Sequence, residues 1–196
     1  DLATWGVRCW WLDPAVAAVD PQIDAGPDGL SVTAWLRTGP EGADPVALGG
    51  DHPVFTARLA SDGRFVPERP FLAARWLADP MRVGPWVYAT ALVPGEGHRV
   101  VVFGEGPGGW EARARLDGLS VPFVSRDTTG FTMLAHGRDA TGSLTVVRLT
   151  SPDGLAWSTP VTLALPAGAS CESPVAARFR GRDVLVCSER IGGQEL

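Results

Sequence analysis

The sequence predicts an all-β chain of the β-propeller class, on three observations. Helical periodicity is missing, short β-branched strands recur between turn residues, and those strands group into units of similar length with similar starts. No run of twelve residues carries apolar positions at a 3.6-residue spacing, and Pro or Gly interrupts nearly every stretch that begins to do so. Val100-Val101-Val102-Phe103, Phe131-Thr132-Met133-Leu134-Ala135, Leu144-Thr145-Val146-Val147-Arg148-Leu149 and Val184-Leu185-Val186-Cys187 are short, apolar or β-branched, and bounded by Gly, Asp and Ser.

The repeat decides the class. One unit opens at Pro122-Phe123-Val124-Ser125-Arg126-Asp127, continues over 130–136, turns at Asp139-Ala140-Thr141-Gly142 and returns over 143–149. It closes with Ser151-Pro152-Asp153-Gly154-Leu155-Ala156-Trp157 and a last strand over 160–165. The preceding unit opens at Ala78-Asp79-Pro80, and the following one at Glu172-Ser173-Pro174. The acidic starts Asp79, Asp127 and Glu172 are separated by 127 − 79 = 48 and 172 − 127 = 45 residues. An earlier, less regular unit holds strands over 30–38, 46–48 and 53–59, and its Ser61-Asp62-Gly63 echoes Ser151-Pro152-Asp153-Gly154. Four short strands in roughly 40–50 residues make one propeller blade. A β-sandwich would yield similar strands but leaves the repeated turn formula without a cause.

A single propeller domain over residues 1–196 follows, with units at about 10–72, 76–120, 122–166 and 170–196, the last truncated. Five blades of about 45 residues need more than two hundred. The propeller is therefore expected to be incomplete in this chain, the N-terminal segment, a missing segment or a partner chain supplying the remainder.

Bulk composition narrows the partners. A formal charge of −5 and a pI of 5.1 oppose a nucleic-acid partner, whose phosphates call for a basic face. No apolar stretch reaches the ~18 residues of a membrane span. The opening Asp1-Leu2-Ala3-Thr4-Trp5 lacks the basic-then-apolar order of a secretory leader. Cys9, Cys171 and Cys187 have no metal-ligand spacing. Three buried thiols are the simplest expectation, with one disulfide plus a free thiol as the alternative, and the compartment stays open. His52, His98 and His136 are scattered, so no metal site is expected. The segment Gly104-Glu105-Gly106-Pro107-Gly108-Gly109 is a hairpin turn with no helix after it, and no nucleotide or organic cofactor is expected.

Three stretches carry the chemistry: Trp11-Leu12-Asp13-Pro14, Arg126-Asp127 and Glu172-Ser173-Pro174. Together they resemble the five-bladed propeller glycoside hydrolases, that is, the invertase-like fructofuranosidases and the arabinanase and β-xylosidase family. Those enzymes place an Asp-Pro near the N-terminus, an Asp opening the third blade and a Glu-x-Pro opening the fourth. The resemblance covers most of residues 10–190 and is strongest from 120 onward. Leu12 and Ala15-Val16 stand where the invertase pattern has Asn and Asn-Gly, and Thr128 follows Asp127 where it has Pro.

The resemblance implies hydrolysis of furanosyl or pentosyl bonds. It implies Asp13 as nucleophile or general base, Glu172 as general acid, and Asp127 as the carboxylate that orients the sugar. Such a site needs an acid kept protonated near neutral pH beside an ionised partner. A separation near 5 Å would give retention and roughly 6.5–9.5 Å inversion. Arg126 is a candidate clamp on sugar hydroxyls, and Trp10, Trp11 and Trp86 are candidates for a stacking face.

Each residue also has a plainer reading. Asp-Pro is ordinary turn chemistry and recurs at Asp13, Asp20, Asp44 and Asp79, so Asp79 is the alternative first carboxylate. Asp127 can hydrogen-bond its own loop, Arg126 can be structural, and the tryptophans can be core. The segment 151–157 resembles the Asp-box turn of sialidase-type propellers and reads as architecture, its Trp tucked between blades. The alternative function is a non-catalytic propeller that binds carbohydrate or protein.

Overall fold

The computed structural model describes residues 18–26, 29–36, 51–67, 71–75, 77–93, 97–166, 171, 173–180, 182–187, 190–191 and 194–195. Asp13, Glu172, Trp10, Trp11 and Cys9 lie outside them. Every regular element among the described residues is a strand, so no helix there is long and apolar enough to cross a membrane.

The strands form antiparallel meanders. The first sheet joins β1 (Ala18–Gly26), β2 (Gly29–Leu36) and β3 (Asp51–Leu59), with β4 (Phe65–Pro67) and β5 (Leu72–Arg75) pairing with different stretches of β3. The second runs β6 (Leu77–Val83), β7 (Trp86–Val93), β8 (Gly97–Gly106) and β9 (Gly109–Asp117). The third runs β10 (Ser120–Asp127), β11 (Gly130–Arg138), β12 (Leu144–Ser151) and β13 (Val161–Thr162). The hairpin β14 (Val175–Phe179) and β15 (Arg182–Val186) follows, then β16 (Arg190–Ile191) and β17 (Gln194–Glu195). The leading strands β1, β6, β10 and β14 pack against one another in succession. Sheets stacked this way around their first strands are the blades of a propeller.

A blade has a neighbour on each face, so its strands are apolar on both. In β8, Val100 and Val102 enter the core shared with the third sheet, whereas Val101 and Phe103 enter the core shared with the first. In β7, Tyr88 faces the third sheet while Val87, Ala89 and Ala91 face the first. That is why these strands read as unbroken apolar runs rather than alternating ones. The outer strand β9 reverses the composition: Glu111, Arg113, Arg115 and Asp117 are exposed along it, which guards an open edge against pairing with another chain.

Two contacts lock the blades in order. Between the first and second, the Arg82 guanidinium lies 5.2 Å from the Phe71 ring centroid and 5.5 Å from that of Trp110. Between the second and third, the turn after β12 docks on β7. Asp153 Oδ1 accepts from the Leu155 and Ala156 amides, each at 2.9 Å, and from the Ser151 hydroxyl at 3.0 Å. The turn so built presents its carbonyls outward. Trp86 Nε1 donates to the Asp153 carbonyl at 2.8 Å, and the Tyr88 hydroxyl donates to the Gly154 carbonyl at 3.2 Å. Trp157 then meets Tyr88 edge-on, with centroids 5.9 Å apart. Burial pushes the Tyr88 phenol well above its ordinary range, the Asp153 charge adds to this and Arg126 opposes it, so Tyr88 stays a neutral donor.

Two of the three cysteines correct the expectation of free thiols: Cys171 and Cys187 form a disulfide. The β14–β15 ladder pairs Val175 with Val186, which brings the flanking cysteines to a Cα separation of 4.8 Å. Closing a loop of 16 residues removes unfolded-state freedom on the order of 3 kcal/mol. Spacing alone did not reveal the pair, because the hairpin between them had first to be placed in register.

Gly142 and Gly154 share a φ of 82°, but a Cβ at Gly154 would lie 2.6 Å from both Trp86 Cδ1 and the Tyr88 hydroxyl, whereas one at Gly142 meets nothing within 4 Å. Gly142→Ala should cost about 1–2 kcal/mol for the left-handed backbone alone. Gly154→Ala should cost about 3–4 kcal/mol, because the added methyl also separates two blades. Urea unfolding of both variants checks this; equal losses would show that the turn does not hold the blades together.

Candidate functional site

The leading strands share one irregularity. Each of the first three shifts register near its start, between Val19 and Gln22 in β1, Ala78 and Met81 in β6, and Ser120 and Phe123 in β10. An X-Pro pair fills each gap: Asp20-Pro21, Asp79-Pro80 and Val121-Pro122. Proline has no N–H for a ladder, so within a sheet it sits on edge strands or in bulges. Ser173-Pro174 stands in the corresponding place just before β14.

Asp79 and Val121 both have φ of 49°, in the left-handed region. For an aspartate this is uncommon, for a β-branched valine it is an outlier, and a following proline opposes it further. Strain of this kind, roughly 1–3 kcal/mol per residue, collects where a backbone is held to a purpose. The holding group is Thr90, a fully buried residue of β7. Its hydroxyl donates to Asp79 Oδ2 at 3.0 Å and accepts the Val121 N–H at 2.8 Å. One side chain thus fixes the Asp79 carboxylate and ties the start of β6 to the start of β10. Thr90 had no mark in the sequence, being one hydroxyl inside an apolar strand.

Asp127 lies elsewhere. The two leading strands run the same way, with Asp79 level with Val121 through Thr90, and the Val124 N–H donating to Met81 Sδ at 3.1 Å. Further along, a Cβ at Gly84 would sit 3.2 Å from the Arg126 guanidinium. Asp127 therefore ends β10 instead of beginning a strand, which corrects the sequence-based placement. Six extended residues separate it from Val121, about 20 Å. Its Oδ1 accepts from the Thr129 amide at 2.7 Å and the Thr129 hydroxyl at 2.6 Å. The Thr129 hydroxyl, then its amide, hold the exposed Asp127 carboxyl below the ordinary aspartate range.

Arg126 and Trp86 gather at that same end. The Arg126 guanidinium lies 5.2 Å from the Phe131 ring centroid, and the Trp86 indole is taken up by the docked turn and by Gly104, where a Cβ would collide with its ring. Both side chains are engaged in architecture. The structure thus brings Trp86, Arg126 and Asp127 together at the hairpin end of the leading strands and leaves Asp79 at the starting end. Asp13, Glu172, Trp10 and Trp11 fall outside the described residues. Near Glu172 in sequence, the Cys171 carbonyl accepts from His136 Nε2 at 2.8 Å, Cys171 is buried and disulfide-bonded, Ser173 is exposed and Pro174 is buried. Among the described residues no group of three or more His, Cys, Asp or Glu could hold a metal ion.

With this geometry in view, the likeness to solved structures is specific in fold. The chain is similar to an α-L-arabinanase of Penicillium chrysogenum solved with arabinobiose, at a TM-score of 0.57 and 14% identity over 88% of this chain and 57% of that one. It is also similar to an exo-β-1,3-galactanase of Phanerochaete chrysosporium solved with β-1,3-galactotriose, at a TM-score of 0.52 and 8% identity over 89% of this chain and 42% of that one. No family model matches the chain, and no curated protein matches it. The fold is a β-propeller. The chain spans 57% or less of these two proteins.

Thr90→Val should strand the Val121 N–H and release Asp79, lowering stability by about 1–3 kcal/mol, whereas Thr90→Ser should recover most of the loss. Chemical denaturation of the pair checks this. A carboxyl held below its unfolded value stabilises the fold above that value and ceases to as pH falls through the folded one. Asp127→Asn should therefore lower Tm by a few degrees at neutral pH, with the deficit closing as the solution is acidified below the carboxylate range. A deficit independent of pH would remove the charge from the explanation.

Proposed function

We propose that this propeller is a glycoside hydrolase acting on furanosyl or pentosyl bonds, with its site at the end where the leading strands start. The observation that carries this reading is the strained, buried-hydroxyl-anchored Asp79. A carboxylate on a left-handed pre-proline residue, with its rotamer fixed by Thr90, is preorganised in the way a sugar-orienting or water-activating group needs. The likeness to an arabinanase and a galactanase supports the reaction class.

In this reading Asp79 takes the place first considered for Asp127. Glu172, in Cys-Glu-Ser-Pro before β14, is the general acid, and Asp13 supplies the remaining carboxylate. Hydrolysis then needs one carboxyl to protonate the leaving oxygen while another acts on the opposite side of the sugar ring. A second reading, a non-catalytic carbohydrate-binding propeller, is favoured by one observation: Arg126 and Asp127 are committed to contacts within their own hairpin.

Aryl arabinofuranosides, aryl xylosides, sucrose and inulin separate the two. Wild-type turnover on one of them is expected, with kcat falling about 10²-fold or more in Asp79→Asn and in Glu172→Gln. Asp127→Asn should leave kcat within a factor of about three. An equal collapse in Asp127→Asn would move the site to the hairpin end, and an inert wild type that still binds sugar would establish the binding module.

A further inference from the structure

The last hairpin, β14 with β15, is held differently from the sheets before it. In β7 and β8 apolar residues on both faces enter cores shared with neighbouring sheets. In the hairpin, ladder partners share a face, so Val175, Val186, Ala177 and Val184 lie on one side and Ala176 and Leu185 on the other. All four residues of the first face are exposed. On the second, Leu185 packs half-buried against the small core of Leu134, Val146 and Cys171, which Cys187 also joins. Among the described residues the hairpin is a two-stranded sheet of its own, sharing no ladder with the third sheet. An isolated two-stranded hairpin is marginal in water, and one half-buried leucine adds little to it.

The disulfide supplies what the sheet lacks. Cys171 stands four residues before Val175 and Cys187 directly after Val186, so the bond closes the end of the hairpin opposite its turn. Cys171 is also where the third sheet grips this stretch. It is buried against Leu134 and Val146, and its carbonyl accepts from His136 Nε2 of β11 at 2.8 Å. The bond carries that grip across to the end of β15.

We propose that the β14–β15 hairpin is a redox-gated unit. It is docked on the third sheet while Cys171 and Cys187 are joined, and opens by itself, with the second and third sheets intact, when they are reduced. A dithiol brings this about by thiolate attack on one sulfur. The Sγ–Sγ bond breaks, two electrons pass to the cysteines, each sulfur takes up a proton, and the reductant leaves as its own disulfide. The inference is read from the backbone and not from turnover, so it stands or falls separately from the hydrolase reading.

The test is amide hydrogen exchange of the whole chain, followed peptide by peptide with and without dithiothreitol. Loop-closure entropy for a separation of 16 residues predicts exchange over 175–186 faster by about 10²-fold on reduction, with β7 and β11 changed by less than about threefold. The double variant Cys171→Ser, Cys187→Ser should exchange as the reduced chain does and lose its response to dithiothreitol. Equal acceleration in all sheets, or a double variant with no folded sheet, would make the bond a staple of the whole molecule and overturn the proposal. Unchanged exchange over the hairpin, or a bond that dithiothreitol opens only in denaturant, would overturn it as well.

Discussion

Every blade here must bury two faces at once, and that constraint governs the rest. A sheet with one solvated face can be stabilised by a single layer beneath it, but a blade needs an apolar neighbour on each side. The second sheet meets this fully: alternate residues of β7 and β8 feed two different cores. The cost of leaving such a strand half covered is large, since each fully buried aliphatic side chain contributes about 1.5–3 kcal/mol. The specific contacts between blades (Arg82 over Phe71 and Trp110, the Asp153 turn on Trp86 and Tyr88) then set the angle and register at which the apolar faces meet.

The two ends of the leading strands have been put to different uses. At the hairpin end, polar groups close on themselves. Asp127 serves Thr129, Asp153 serves its own turn, and Trp86 serves the next blade. At the starting end the backbone is broken by prolines, bent through left-handed residues and tied by Thr90. Local satisfaction marks architecture, while strain maintained by a buried anchor marks a place kept in a set geometry.

Holding that end together is a short series of ties between successive blades. Thr90 joins β6 to β10, and His136 of β11 bonds the Cys171 carbonyl, which the disulfide in turn connects to the end of β15. The Thr90 tie reaches Asp79 and Val121, each directly before a proline, and the His136 tie reaches Cys171, three residues before Pro174. At Val121 the buried Thr90 hydroxyl takes the N–H that the broken ladder leaves.

Much of the fold was legible along the chain. Val100-Val101-Val102-Phe103 and Leu144-Thr145-Val146-Val147-Arg148-Leu149 mark strands because β-branched runs bounded by Gly and Ser have few other conformations open to them. The turn at Ser151-Pro152-Asp153-Gly154 was readable because its hydrogen bonds join residues two or three apart. Asp127 shows the limit: sequence identifies an acid near a strand but not which end of it, since strand direction around an axis is a property of neighbouring sheets. The Cys171–Cys187 pair and the anchoring role of Thr90 were equally out of reach. Short-range chemistry determines strands and turns from sequence alone, whereas contacts between residues tens of positions apart exist only once the blades have packed.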